Sequence, residues 1–308
     1  MLVDSFLKYL RLELNRSEKT IVSYGTDLRN FEGYLKDVEA EIGFTTVHAD
    51  HVRNWIVFLM DKGCAVASIN RKLSSLRSFY RFLVMKKEIV INPMRRVSGL
   101  KTRKKLPVFV REKDMNRLLD ELSVDESFEG SRDRMILEVF YVTGIRLSEL
   151  IGLNDADVDF FARQIKVTGK RDKQRIIPFG RELEEDLRMY VEIRNEAVPE
   201  HMGAFFVRKN GKRMYPMEVY RLVRRNLSKV VALKKKSPHV LRHTFATVML
   251  NNGAELQSVK ELLGHESLGT TEIYTHATFE ELKKFMNKLI HERKKGGIYG
   301  SKNSSDSF

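Results

Sequence analysis

The sequence predicts a mainly α protein of two domains, and three observations carry that expectation: the length of the chain, the period of its apolar residues, and a basic interruption near residue 100. A chain of 308 residues with 42% hydrophobic content and six prolines can bury a core and is long for one domain. Apolar residues recur at steps of three and four through most of it, the period of a helix. The interruption is "KTRKKLP", with four cations in five residues before Pro107, a run that repels itself and stays outside any core. The expected architecture is an N-terminal domain of four helices over residues 1–100, a basic linker over 101–106, and an α-rich second domain with a small antiparallel sheet over 107–295. A Gly- and Ser-rich tail over 296–308 is expected to be disordered.

Four segments between residues 4 and 88 carry the helical period. In "SEKTIVSYGTDLRNFEGYLKD" the residues Ile21, Tyr24, Leu28, Phe31 and Leu35 draw one stripe. Val52, Trp55, Ile56, Leu59 and Met60 repeat it before Gly63, a C-terminal stop. Ile69, Leu73, Leu76, Tyr80 and Leu83 form another, and with the first segment these predict a short-looped bundle. Beside the last stripe Asn70, Ser74, Arg77 and Arg81 also step by four and three and so share a face. That face is either solvated or in contact with DNA.

In the second half, residues 112–123 and 131–143 predict helices, the latter apolar nearly all round and so buried. "RQIKVTGKRDKQRIIPF" predicts a hairpin: Ile165 and Val167 alternate, a "GKRDK" turn follows, then Ile176 and Ile177. Further helices are expected in "ELEEDLRMYVEIRN", "MEVYRLVRRNLSKVV", "PHVLRHTFATVMLNN" and "ELQSVKELLG", with an extra strand at Ala204 to Val207.

Lys plus Arg number 55 against 41 Asp plus Glu, a net charge of +14, which points to a polyanionic partner. Residues 1–100 hold 16 basic and 11 acidic side chains, the linker adds four cations, and the remainder holds 35 and 30, so the footprint is spread over both domains. No run approaches the roughly 18 apolar residues of a spanning helix, and "MLVDSFLKYLRLELN" mixes charges throughout, unlike a signal peptide. A single Cys64 can neither close an internal disulfide nor found a metal cluster, as suits a reducing cytosol.

Four places in the second half put polar residues where packing would favour apolar ones. Arg146, in "TGIRLSEL", follows the most apolar stretch and needs an anion, which Glu149 three residues on can supply. Lys170 sits at the hairpin tip, where cations are ordinary. "SPHVLRHTFA" starts a helix with Ser237 and Pro238 and sets His239 and Arg242 three apart on it. His239 and His243 have the spacing of zinc ligands, but Arg242 between them and the missing glutamate of that motif speak against a metal. Finally "LGHESLGTTEIYTH", residues 263–276, holds His265 at a turn and Tyr274 in a short helix, where half-buried packing is the ordinary reading.

Together these residues make a site for an anion rather than a metal, and the charge makes a phosphodiester the obvious one. Guanidinium forks bind non-bridging oxygens bidentately and stabilise charge that develops there, a role suited to Arg146 and Arg242. A tyrosine hydroxyl, with a reference pKa near ~10, gains nucleophilicity beside cations. Attack by Tyr274 would conserve the bond energy in a phosphotyrosine, with Lys170 protonating the leaving oxygen and His239 and His265 assisting.

"TGIRLSEL", "VTGK", "HVLRH" and "LGHESLGTTEIYTH", in that order and separation, resemble the tyrosine recombinase (phage-integrase-type) family, most closely its Xer-like bacterial members, over nearly the whole chain. The resemblance implies a SAM-like core-binding domain and a tyrosine recombinase catalytic fold that close around DNA. By motif position Arg146, Lys170, His239, Arg242 and His265 fall on catalytic residues and Tyr274 on the nucleophile, with Glu149 in support. It implies a 3′-phosphotyrosine, strand exchange through a Holliday junction, and no metal or cofactor. Two copies would bind each inverted-repeat site and four would assemble, as a homotetramer or with a related recombinase, linked by a helix such as residues 279–293. A DNA translocase activator and a place on the nucleoid in the cytoplasm are further implications. DNA contacts are expected from Asn70, Arg77, Arg81, Lys101, Arg103, Lys104 and Lys105. The reaction could serve chromosome dimer resolution, and so segregation and cell division, or integration, excision or inversion. The rivals are a type IB topoisomerase and a DNA-binding protein that does not cut.

Overall fold

The computed structural model describes residues 1–39, 41–102, 108–122, 125–169, 172–233 and 235–264. Lys170, His265, Tyr274, the linker cations Arg103, Lys104 and Lys105, and the expected helix at 279–293 and tail lie outside the described residues. The chain divides into two compact units, Met1–Lys105 and Leu106–Phe308.

Among its described residues the first unit holds four α-helices, α1 (Leu2–Leu12), α2 (Glu18–Val38), α3 (Ala49–Asp61) and α4 (Val66–Met85). Ser17 starts α2 by accepting the Thr20 amide, which satisfies one of the free donors at a helix N-terminus. Most of the stripe residues read from the sequence face inward: Ile21, Leu28, Phe31, Leu35, Val52, Trp55, Ile69, Leu73, Leu76 and Leu83 are buried, whereas Tyr24 is half-buried and Met60, expected in the α3 stripe, lies exposed at the last turn of that helix. Rings fill the centre, with Phe31 on Trp55 at 4.8 Å between centroids and Phe79 edge-on to Phe44 at 4.8 Å and to Phe6 at 5.3 Å. Such pairs add to the area they bury. Asp27, fully buried on α2, accepts from Arg71, Lys72 and Ser75 of α4, so its charge is answered by two cations and a hydroxyl. After α4 a 3₁₀ turn, Pro93–Arg96, begins at Asn92, whose side chain accepts the Met94 amide at 2.8 Å.

The second unit is built on α6 (Phe128–Thr143), buried on nearly every side, with α5 (Glu112–Leu122), α8 (Arg181–Ala197) and α10 (Pro238–Asn251) packed on it. It begins three residues earlier than the sequence pattern suggests because Ser127 caps it, accepting the Gly130 amide at 3.0 Å. It ends at Gly144, which takes a left-handed φ of +59°. Any side chain there would strike the Phe245 ring, 2.3 Å from where a Cβ would stand. The short α7 (Leu147–Gly152) follows, then the strands β1 (Val158–Asp159), β2 (Gln164–Thr168) and β3 (Gln174–Pro178) in one antiparallel sheet of order β1-β2-β3. Ile165 pairs with Ile177 and Val167 with Arg175. β1 has two residues, too few to show a pattern. α9 (Pro216–Val230) and α11 (Leu256–Leu263) are the remaining α-helices among the described residues.

The strand expected at Ala204 to Val207 does not form: the segment makes only isolated bridges, Asn154 with Ala204 and Val207 with Arg213. All four residues are buried, which explains the strand-like apolar run. Their carbonyls, however, are drawn to side chains. Arg194, 1% exposed, donates to Ala204 O and Phe205 O as well as to Asp155, and the Tyr190 hydroxyl also donates to Phe205 O.

Candidate functional site: an arginine cluster in the second unit

Four described side chains converge where α6, α7, β3, α10 and α11 meet. Arg146 stands at the start of α7, and Glu149 one turn on returns its carboxylate to the Arg146 amide at 2.8 Å and to the Arg146 guanidinium at 2.7 Å. Arg175, from β3, grips both oxygens of the same carboxylate at 2.6 and 2.8 Å. Arg242, one turn into α10, donates to Gly144 O at 2.5 Å and to Leu263 O.

The end of α11 is the common anchor. A helix leaves its last carbonyls without partners, and cations are favoured there. Here three guanidiniums take them: Arg175 donates to Leu262 O at 2.7 Å, Arg242 to Leu263 O, and Arg146 to Gly264 O at 2.6 Å. Gly264 turns with φ +62°, and a Cβ on it would stand 3.3 Å from the Arg146 guanidinium. On the hairpin, a Cβ on Gly169 would meet a Glu149 oxygen at 3.4 Å. The last described residues before Lys170 and before His265 thus both lie against the Arg146–Glu149 pair.

Burial and charge act together. Burial alone would raise the Glu149 carboxyl, but bonds and charge from Arg175, then from Arg146, bring it down to about 2, so it is ionised at neutral pH. Burial, followed by repulsion from Arg146 and Arg175, lowers Arg242 to about 10, still protonated at neutral pH. Two cations on the Glu149 carboxylate and a third, Arg242, held on carbonyls leave the cluster with excess positive charge, and the Arg146 side chain is 34% exposed against 12% for Arg175. Arg146 is therefore the open cation of the cluster, and Arg242 a buried one.

Arg146, Glu149 and Arg242 share one network, while His239 lies one turn before Arg242 on the same helix and is exposed. Glu149 does serve Arg146 as its anion, but shares that task with a residue the sequence reading passed over, Arg175. A signal for it existed: on a strand with alternating burial, Arg175 lies two residues before the inward Ile177 and opposite Val167, a buried-side position for a charge. In the first unit, Asn70 is engaged with the root of the linker, donating to Leu100 O at 2.8 Å and accepting the Leu100 amide at 2.9 Å. Arg77 donates to Val97 O at 3.1 Å, while Arg81 and Lys101 are exposed.

Residues 108–281 match the phage integrase family, and residues 3–87 match the phage integrase N-terminal SAM-like domain. The chain belongs to the phage integrase family. It is 41% identical over 307 residues to tyrosine recombinase XerC of Chlorobaculum tepidum, covering 91% of each chain. It is 39% identical over 295 residues to that of Pediococcus pentosaceus, covering 94% of this chain and 97% of the other. In fold it is similar to the Tn1549 transposon integrase in complex with transposon right end DNA, with a TM-score of 0.72 at 22% identity over 94% and 99% of the two chains. It is likewise similar to the XerH site-specific recombinase bound to palindromic difH substrate, with a TM-score of 0.69 at 22% identity over 92% and 83%.

Proposed function

We propose that this protein is a tyrosine site-specific recombinase of Xer type that cuts and rejoins double-stranded DNA without metal or cofactor. The observation that carries the proposal is the cluster in which Arg146 and Arg242 share the end of α11, supported by the family match and the XerC relatives. In the proposed reaction the two arginines hold the non-bridging oxygens of the scissile phosphate and balance the charge that grows there. The Tyr274 oxygen attacks phosphorus and loses its proton, forming the tyrosyl–phosphorus bond as the bond from phosphorus to the 5′ oxygen breaks. Lys170 gives the departing oxygen a proton, and His239 and His265 hold the phosphate or move protons. The product is a 3′-phosphotyrosine and a free 5′ hydroxyl; in reverse, the 5′ hydroxyl of a second strand attacks the phosphotyrosine phosphorus, the bond to the Tyr274 oxygen breaks, and the tyrosine regains its proton.

The partner is then a duplex site with inverted repeats, approached by Arg77, Arg81 and the cations from Lys101 to Lys105. Four subunits, of this chain alone or with a related recombinase, would complete exchange, and a DNA translocase could activate them. The XerC relatives favour chromosome dimer resolution, and so a place on the nucleoid; among the described residues no helix is long and apolar enough to cross a membrane.

The test is covalent capture. Wild type and Tyr274→Phe are each mixed with sheared genomic DNA of the host, quenched in SDS, and the attached DNA sequenced. Adducts with wild type alone, concentrated on one inverted repeat, are expected. Adducts scattered over all sequences would favour a topoisomerase, and none at all a protein that binds without cutting.

A further inference from the structure

We infer that Arg175 is a positioning residue for this reaction: it takes the carboxylate of Glu149 on one side and the end of α11 on the other, so that Arg146 is held in place yet keeps part of its guanidinium for a phosphate. The inference rests on the recombinase reading above.

The Glu149 carboxylate and a substrate phosphate compete for the same guanidinium. A carboxylate facing a lone arginine draws it into a bidentate pair, the geometry a phosphate would take. Glu149 is 3% exposed and ionised, so its charge must be answered from within. Arg175 answers it through two nitrogens, at 2.6 and 2.8 Å, and by occupying both oxygens limits Arg146 to a single guanidinium contact at 2.7 Å. Among the described residues the remaining contact of the Arg146 side chain is to Gly264 O, so two of the five N–H groups of a guanidinium are used. Exposure divides the pair likewise, since Arg175 is the covered arginine and Arg146 the open one. The third bond of Arg175, to Leu262 O at 2.7 Å, fixes the helix end that also anchors Arg146 and Arg242. Without Arg175, Glu149 would close on Arg146 and compete with the substrate for it.

The experiment uses a nicked duplex carrying the sequence recovered by covalent capture. Single-turnover cleavage and duplex affinity are measured for wild type, Arg175→Gln, Arg175→Lys and the double variant Arg175→Gln with Glu149→Gln. Arg175→Gln is expected to cut at least tenfold more slowly with affinity unchanged within threefold. Removing the competing carboxylate in the double variant should recover at least fivefold. On a duplex whose scissile phosphate is an uncharged methylphosphonate, the arginines have less charge to balance, and the deficit of Arg175→Gln should shrink to within threefold.

Cleavage by Arg175→Gln at the wild-type rate would overturn the inference, as would a deficit undiminished on methylphosphonate or a double variant no faster than the single one. Should Arg175→Gln fail to fold, Arg175→Lys, which keeps the charge but cannot span both oxygens, is judged by the same methylphosphonate criterion. Absence of any wild-type adduct would overturn the recombinase reading and this inference with it, whereas an active wild type with an indifferent Arg175 removes only the latter.

Discussion

The core of Met1–Lys105 is made of rings and aliphatic side chains, with Asp27 and Ser75 its buried polar members among the described residues, whereas Leu106–Phe308 also buries Arg132, Asp133, Glu149, Arg194 and Arg242. In the first unit the apolar stripes turn inward and most of the basic side chains remain at the surface. In the second, guanidiniums lie inside and are met by neighbours, as Arg132 is by Asp133, and by groups distant in sequence, as Arg194 is by Asp155 and Arg242 by Gly144 O. A surface for a phosphate backbone needs only charge displayed on a stable scaffold. A site that must stabilise a particular charge needs donors fixed before the substrate arrives, which burial and internal bonds provide.

The largest effect expected from this contrast is in the apolar unit. Trp55→Ala empties the space against Phe31 and should cost about 3–5 kcal/mol in urea denaturation, with little dependence on pH. A loss below about 1 kcal/mol would show that the ring cluster does not dominate that unit's stability.

Next in size is the buried carboxylate of the second unit. The Glu149 carboxyl is depressed in the folded chain, to about 2 from an ordinary value near 4.5, so the stability it contributes is present above about pH 4.5 and lost as pH falls toward 2. That contribution is on the order of 3 kcal/mol. The stability difference between wild type and Glu149→Gln should therefore narrow across that window, and a difference independent of pH would mean that the carboxylate's charge is not what stabilises the cluster.

The smallest effect concerns the surface of the first unit. Asn70→Ala removes two bonds to Leu100 at a half-buried position and should lower stability by about 1–2 kcal/mol. No change in stability would return Asn70 to the solvated or DNA-facing role that its helical spacing suggested.

How much could be read in advance follows the same division. The stripes through Ile21, Leu28, Phe31 and through Ile69, Leu73, Leu76 announced their helices because packing there follows the helical period, a local property. Arg146 and Glu149 were legible as a pair because they lie three apart. The strand alternation marked Arg175 as a charge on the inward side, but not what it holds, since its partners at Glu149 and Leu262 are 26 and 87 residues away. The segment Ala204 to Val207 misled for the same reason: its apolar run satisfies a strand pattern, but Arg194 and Tyr190 claim its carbonyls. The motif order located the cluster; the means by which its charges are held lay in long-range contacts.

The bonds between Asn70 and Leu100 bear on the kinetics of encounter. A basic segment that hangs free must be ordered by whatever it binds, and each residue so ordered subtracts from affinity. Here the chain is pinned to α4 at Leu100 and at Val97, immediately before Lys101 and the cations that follow. Their point of departure is set during folding, beside Arg77, so the entropy of locating it would be lost before the duplex of the proposed function arrives. Loosening that root should slow association while leaving the net charge unchanged.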